Sequence, residues 1–157
     1  MSNTSNIRND LRSERRDTIL HRISLSQGEE TPVKPEYVPY RKEFPLDVRQ
    51  KESSRIKIKY PESVPVICEP ASSDPDLFLE KHKFLVPGHL TMGQFIFTLR
   101  TKLSFDKSEA LFVFIETPEE TMVVPHSGKT IQHFYDENVL SDGFLYIRYS
   151  KEQTFGA

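Results

Sequence analysis

A single cysteine, Cys68, stands in the whole chain. It excludes an internal disulfide and fits a reducing cytosol. No apolar run approaches the length that crosses a bilayer, and the N-terminus lacks the apolar stretch of a signal peptide. Any membrane role is therefore expected to be acquired rather than built in. Charge of one sign is missing too. With 21 Lys and Arg against 23 Asp and Glu, the formal net charge is −2, which argues against a wholly basic nucleic-acid binder. Trp is absent, and 36% apolar residues in 157 lead us to expect one domain with one modest core.

Catalytic constellations are scarce as well. His21, His82, His89, His126 and His133 show no metal-ligand spacing and have no paired Cys beside them, so no metal is expected. Ser127-Gly-Lys-Thr130 mimics the end of a phosphate loop. The first Gly it needs falls at Val123, and no strand leads into a cradle there. No Gly-x-Ser-x-Gly and no spaced carboxylate pair on a rigid element occur. Cys68 lies in an alternating apolar segment, where a buried inert thiol is favoured over a nucleophile. The chain reads as a non-enzyme without a cofactor; an enzyme built on Cys68 and a His is the minor alternative.

What is present falls into three stretches. Residues 1–40 read as a flexible extension, with Arg8, Arg12, Arg15, Arg16 and Arg22 among Leu11, Ile19, Leu20, Ile23 and Leu25. Ile19, Leu20 and Ile23 allow a short basic amphipathic helix able to touch acidic lipid. No cap or core partner is evident, so a disordered charged arm is favoured. Gln27 to Pro39, with Pro32, Pro35 and Pro39, reads as a linker.

The body is expected over residues 41–150. Pro45 suits a helix start, and Leu46 to Lys59 reads as a mostly exposed helix stopped by Pro61. Val64 to Glu69 reads as a strand, with Pro65 marking its start or a sheet edge. Lys83 to Val86 is a short strand cut off by Pro87-Gly88. The strongest helix spans Thr91 to Leu103, where Thr91 and Gln94 form a capping box. Met92, Phe95, Ile96, Leu99 and Leu103 give it one apolar stripe. Ala110 to Ile115 is apolar on both faces and so a central strand. Glu116 to Gly128 reads as a long polar connection, Lys129 to Asp136 as a short helix burying Ile131, Phe134 and Tyr135, and Gly143 to Tyr149 as the last strand. Two strands, a crossing helix and two more strands give an α+β fold, the ubiquitin-like β-grasp, with an N-terminal helical addition preceded by a disordered arm. Lys81, His82 and Lys83 beside a short strand mark either a protected edge or an edge that accepts an acidic extended peptide as an extra strand.

Residues 151–157 are polar, aperiodic and expected to be mobile and open to proteases. Phe155 is a lone aromatic, and Gly156 leaves the backbone unhindered for an enzyme closing around it. On these residues alone a frayed end with a chance Phe-Gly is favoured over a processing site.

Longer motifs change that balance. Val-Pro-Val-Ile-Cys-Glu at 64–69, Lys-Phe-Leu-Val-Pro at 83–87, Leu-Thr-Met-Gly-Gln-Phe at 90–95, Asp-Gly-Phe-Leu-Tyr at 142–146 and Thr-Phe-Gly at 154–156 resemble the autophagy ubiquitin-like modifiers. That family includes the GABA-receptor-associated proteins and microtubule-associated light chain three. The similarity runs in order from about Phe44 to Ala157. It implies that a dedicated cysteine protease removes Ala157, recognising Phe155, and exposes Gly156. Activating and conjugating enzymes then carry Gly156 as a thioester to the amine of phosphatidylethanolamine. Phe112 and Phe114 match positions the processing enzymes recognise; plain core is the alternative for both.

The resemblance also implies a groove for receptor and cargo peptides of the form aromatic-x-x-aliphatic preceded by acids. Its aromatic pocket would use Glu52, Ile56, Pro65, Ile67, Lys83, Leu85 and Phe144. Its aliphatic pocket would use Phe84, Val86, Pro87, Leu90 and Phe95, and Lys83 and Arg100 would meet the acids. A cytoplasmic protein that moves to autophagosomes and related membranes when lipidated is expected, with no nucleic-acid partner. A non-lipidated trafficking or cytoskeletal adaptor using the same groove is the alternative. The chain departs from the family pattern at Ser63, where a basic residue is common, and at Thr98, where an apolar lining residue is. Its 116–125 connection looks longer, and the 1–40 arm is extra.

Overall fold

A computed structural model describes residues 37–72, 77–103, 105–106 and 108–152. The chain divides into two units, Met1–Glu36 and Tyr37–Ala157, and every described residue belongs to the second. The expected arm, with Ile19, Leu20 and Ile23, and the tail residues Phe155, Gly156 and Ala157 lie outside the described residues.

The elements run α1 (Tyr40–Glu43), α2 (Leu46–Lys59), β1 (Ser63–Pro70), β2 (Lys83–Pro87), α3 (Met92–Lys102), β3 (Phe112–Glu116), β4 (Met122–Val123), α4 (Ile131–Asn138) and β5 (Leu145–Ser150). They build one five-stranded sheet in the order β2-β1-β5-β3-β4. The first and last long strands, β1 and β5, pair in parallel from Val66↔Leu145 to Pro70↔Tyr149. Strand β2 is antiparallel to β1, and β3 to β5. This is the expected ubiquitin-like grasp around helix α3.

Side chains alternate across the pleat, so each strand serves two faces. On one face Val64, Val66, Cys68, Phe84, Val86, Val113, Ile115, Leu145, Ile147 and Tyr149 pack with Met92, Phe95, Leu99 and Leu103 of α3 and with Ile131 and Phe134 of α4. On the other face Ile67, Phe144 and Tyr146 pack with Tyr40 and Ile56, joined at the margin by Phe44, Leu85 and Leu140. Helix α3 carries the expected capping box: Gln94 N donates to Thr91 Oγ1 at 3.2 Å, and Thr91 N to Gln94 Oε1 at 3.0 Å.

Helix α2 buries only Ser53 and Ile56, in line with its thin apolar pattern. Directional polar contacts dock it instead. Arg49 Nε lies 3.1 Å from Asp142 Oδ2 in a buried ion pair. The same carboxyl accepts the Tyr146 hydroxyl at Oδ2 and the Phe144 N–H at Oδ1, the latter at 3.0 Å. Ser53 Oγ donates to Asp142 O at 2.6 Å. Arg49 Nη1 reaches the Arg41 and Phe44 carbonyls at 3.1 and 3.2 Å, tying α1 to α2. Where the chain enters α1, the Tyr37 hydroxyl and the Tyr40 N–H both donate to the buried Glu69 carboxyl. Burial, and then that hydrogen bond, push the Tyr37 phenol well above its ordinary range.

Several expectations need correction. Strand β4 lies inside what reads as a polar connection, pairing Met122 and Val123 with Glu116 and Ile115. Two residues are too few to show period-2 alternation. The turn before it holds Glu120 at φ 62. Helix α1, a single turn, carries no sequence signature and is set by the contacts of Tyr40 and Arg41. Strand β3 begins at Phe112 rather than Ala110, and helix α4 at Ile131 with Thr130 as its cap. Tyr135 stays half-buried, its hydroxyl reaching out to Gly143 O at 2.9 Å. Pro65 marks a strand start, not an edge. Cys68 N donates to His82 O across β2, so by alternation the Pro65 nitrogen points toward β5. Pairing there begins one residue later, at Val66.

Gly143 sits at φ 85, and a Cβ there would run into the Ser53 side chain. Gly143→Ala is expected to destabilise by about 2–4 kcal/mol from strain and overlap together. Adding Ser53→Gly is expected to restore part of that loss in urea denaturation. An unchanged midpoint for the single variant would contradict the packing described.

Candidate functional site at the β2 edge

Among the described strands, β2 stands at one end of the sheet order and pairs with β1. Pro87 closes it, and its side chains alternate between the two cores. Phe84 and Val86 point to the α3 side, Lys83 and Leu85 to the α2 side.

On the α2 side, six of the seven proposed lining positions surround one apolar floor. Ile56, Pro65, Ile67 and Phe144 are buried, and Leu85 keeps part of its surface. The seventh, Glu52, comes from α2 and meets Lys83 of β2: Lys83 Nζ and Glu52 Oε1 are 2.7 Å apart. Arg55, one turn along α2, binds the same carboxyl at 2.7 Å through Nη2 and 3.2 Å through Nε. Burial opposes ionisation of Glu52, but the Arg55 and Lys83 hydrogen bonds outweigh it and hold the carboxyl below its ordinary value. The rim of this face is thus an ion-pair cluster over apolar residues.

On the α3 side, Phe84, Val86 and Phe95 are core residues at 5–7% exposure. Only Leu90 and Pro87 of the five proposed aliphatic-pocket positions keep surface. Beside Leu90 lies a shallow cleft lined by Thr91, Gly93, Gln94, Phe97, Thr98 and Ser127. Phe97 is 72% exposed. Sequence reasoning missed it, although an aromatic residue off the stripe of α3 is the signal that finds it. Thr98 turns its hydroxyl back to Gln94 O at 3.1 Å, leaving its methyl as the apolar contribution. Lys102 was also missed; its Nζ lies 5.8 Å from the centre of the Phe84 ring. Arg100, expected to meet acids, holds backbone instead. Its guanidinium donates to the carbonyls of Asp106, at 3.0 Å, and Glu109.

Phe112 and Phe114 share one face of β3. Phe114 is buried opposite Arg148, and Phe112 is half-buried opposite Ser150, where the last strand ends. Cys68 is fully buried, and burial raises its thiol pKa well above the ordinary range. A thiol so placed is not available as a nucleophile. No described helix is long and apolar enough to cross a membrane.

The family model described as "Autophagy protein Atg8 ubiquitin like" matches residues 48–156. Autophagy-related protein 8c of Arabidopsis thaliana is 42% identical over 117 residues, spanning 74% of this chain and 94% of that protein. Autophagy-related protein 8 of Schizosaccharomyces pombe is 38% identical over 117 residues, spanning 74% and 93%. Plasmodium falciparum Atg8, solved in complex with a Plasmodium falciparum Atg3 peptide, superposes with a TM-score of 0.65 at 28% identity, over 74% of this chain and 98% of that one. Trypanosoma brucei ATG8 superposes with a TM-score of 0.61 at 31% identity, over 77% and 100%.

The lowered Glu52 pKa carries a sign for stability. Its ion pairs contribute above the ordinary value of 4.5 and are lost as pH falls through the lowered folded value. Lys83→Gln is expected to move the Glu52 midpoint back toward 4.5 in a carboxyl NMR titration. A midpoint that stays put would mean Lys83 does not hold the carboxylate.

Proposed function

The chain belongs to the Atg8 family of ubiquitin-like autophagy proteins, and from that premise we propose that it is a modifier joined through Gly156 to phosphatidylethanolamine and a docking module for aromatic-x-x-aliphatic peptides along β2. The observation that supports the docking half is the place of β2 at one end of the sheet order, flanked by two different apolar surfaces. A peptide added as a strand turns successive side chains to opposite faces. Anchors three residues apart therefore face opposite ways, one toward Ile67, Leu85 and Phe144, the other toward Leu90 and the Phe97 cleft. Main-chain hydrogen bonds set register and the anchors set specificity. Lys83, with Lys102 on the α3 side, supplies positive charge for acidic flanking residues. To bind there, an acid competes with Glu52 for Lys83. Arg100 contributes only if it releases the carbonyls it holds.

Conjugation follows ordinary acyl-transfer chemistry. A cysteine protease hydrolyses the Gly156–Ala157 bond and frees the Gly156 carboxylate. An activating enzyme first joins that carboxylate to the nucleotide of a nucleoside triphosphate, releasing pyrophosphate; its thiol then displaces the nucleotide to give a thioester, and the thiol of a conjugating enzyme takes the acyl group by exchange, releasing the first thiol. The lipid amine attacks the thioester carbonyl; a C–N bond forms, the C–S bond breaks, and the thiol leaves with the proton given up by the amine. Two acyl chains at about 0.8 kcal/mol per buried methylene then hold the domain on a bilayer. The family match reaching residue 156 supports this half.

Leu85→Ala, at a position that keeps surface, is expected to weaken binding of an acidic aromatic-x-x-aliphatic peptide at least about tenfold, the loss of one apolar anchor. Isothermal calorimetry giving equal affinities would remove the groove assignment. Gly156→Ala is expected to abolish the lipid-bearing mass that the wild-type chain acquires on liposomes with the conjugation enzymes. A full-length unmodified wild-type chain would instead favour a non-lipidated adaptor.

A further inference from the structure

The cleft beside Leu90 limits what kind of side chain a docked peptide can place on the α3 side. Its walls come from the stripe of α3 that faces away from the core. Met92, Phe95 and Leu99 are buried, whereas Gly93, Gln94, Phe97 and Thr98 keep surface. In a helix a long side chain leans toward the N-terminus and covers the residues three and four positions back. For Phe97 those residues are Gln94 and Gly93, and all three line the cleft. Gly93 puts no side chain beneath the ring. Its backbone instead meets the loop at 127: Gly93 N donates to Ser127 O at 2.9 Å, and a Cβ on Gly93 would stand 3.3 Å from that oxygen. The result is a slot bounded by the Phe97 ring, the Gly93 backbone and Ser127.

The slot suits an apolar guest. The residues that line it carry no charge. Thr91 and Gln94 direct their side chains to each other in the capping box, the Thr98 hydroxyl donates to Gln94 O, and the Gly93 N–H is taken by Ser127. A polar guest would give up water and find few partners. Depth is missing as well. Phe84, Val86 and Phe95 are core, so a branched aliphatic side chain meets a surface rather than a hole. A flat ring buries most by lying against another flat ring, and Phe97, 72% exposed, offers one.

We propose that this slot selects an aromatic side chain, so that the peptides docked most tightly are acidic segments of the form aromatic-x-x-aromatic. The inference deepens the docking reading and rests on it. The slot is continuous with the β2 site, because Leu90 belongs to both. Charge fits the same occupant. Lys102 is exposed, with its Nζ 5.8 Å from the centre of the Phe84 ring, and Lys83 stands on the α2 side. A peptide spanning both anchors thus has a lysine near each, which favours acids beside them. Phe97 is the specificity-determining contact, and Gly93 and Ser127 shape the space it faces.

Synthetic peptides test this, each with acidic residues followed by Trp-x-x-Phe, Trp-x-x-Leu or Trp-x-x-Ala. Isothermal calorimetry is expected to place the Phe peptide about threefold to tenfold tighter than the Leu peptide, the contribution of an aromatic pair beyond its buried area, with the Ala peptide last. Phe97→Leu keeps an apolar side chain and removes the ring. It is expected to bring the Phe and Leu peptides to within about twofold of each other. Its melting temperature stays at the wild-type value, because the ring lies outside the core. In the wild-type chain the Phe97 ring protons are expected to shift upfield with the Phe peptide and not with the Leu peptide, a signature of stacking that does not depend on affinity. Equal wild-type affinities for the Phe and Leu peptides, a preference that survives Phe97→Leu, or unmoved Phe97 signals would each overturn the slot and leave the groove standing. Failure of all three peptides to bind the wild-type chain would overturn the groove reading and the slot with it.

Discussion

One ion pair and two hydrogen bonds converge on the carboxyl of Asp142: the Arg49 guanidinium, the Tyr146 hydroxyl and the Phe144 N–H. A buried carboxyl left without partners costs several kcal/mol, so this arrangement tolerates few alternatives. Its consequence reaches well beyond the turn at residues 140–143. Helix α2 has too small an apolar face to be held by burial alone, and the ion pair from Arg49 decides where it lies on the sheet. Ser53, one helical turn further, confirms the seating by donating to Asp142 O. With α2 so placed, Glu52 meets Lys83 and Ile56 meets Ile67 and Phe144. The whole α2 side of the candidate groove therefore hangs on one buried polar junction at the root of β5.

The sheet order then separates two activities. The β2 edge lies at one end of the order β2-β1-β5-β3-β4, while the chain leaves the sheet from its middle strand. A peptide paired with β2 and an enzyme gripping the residues after Ser150 draw on different backbone groups. Phe112 stands opposite Ser150, beside the exit, while Leu85, Leu90 and Phe97 stand beside the edge. For a protein of the Atg8 family, whose tail and groove are each proposed to be occupied, this division lets one small body serve both.

Most of the fold was legible because its signals are local and redundant. Thr91 with Gln94 announces the start of α3, and the Met92–Leu103 stripe announces its buried face. The run around Phe112–Ile115 announces a strand covered on both sides. What stayed hidden is short or polar. Strand β4 has two residues, and α1 has one turn. The candidate site was legible only in part. The residues gathered around Lys83 and Leu85 do meet on one face. Phe84, Val86 and Phe95 turn out to be core, and Phe97 and Lys102, not singled out in the chain, flank the α3 side. Arg100 was expected to meet the acids of a bound peptide, but a guanidinium with five donors is readily taken up by nearby carbonyls.

The linear chain, by itself, determined the class of the protein: the alternation of β1 and β2, the amphipathic period of α3 and the run of matching motifs depend on residues close together, whose preferences add without knowledge of distant partners. Only the tertiary structure decided which side chains are surface and which are floor. Burial is a property of what lies opposite, and Phe84 and Phe97 carry the same side chain in opposite environments. It also decided which charges are engaged. Glu52 with Lys83, Arg49 with Asp142 and Glu109 with Lys151 are joined across 31, 93 and 42 positions of sequence, and attraction over such separations exists only once the sheet has brought the partners within a few ångströms.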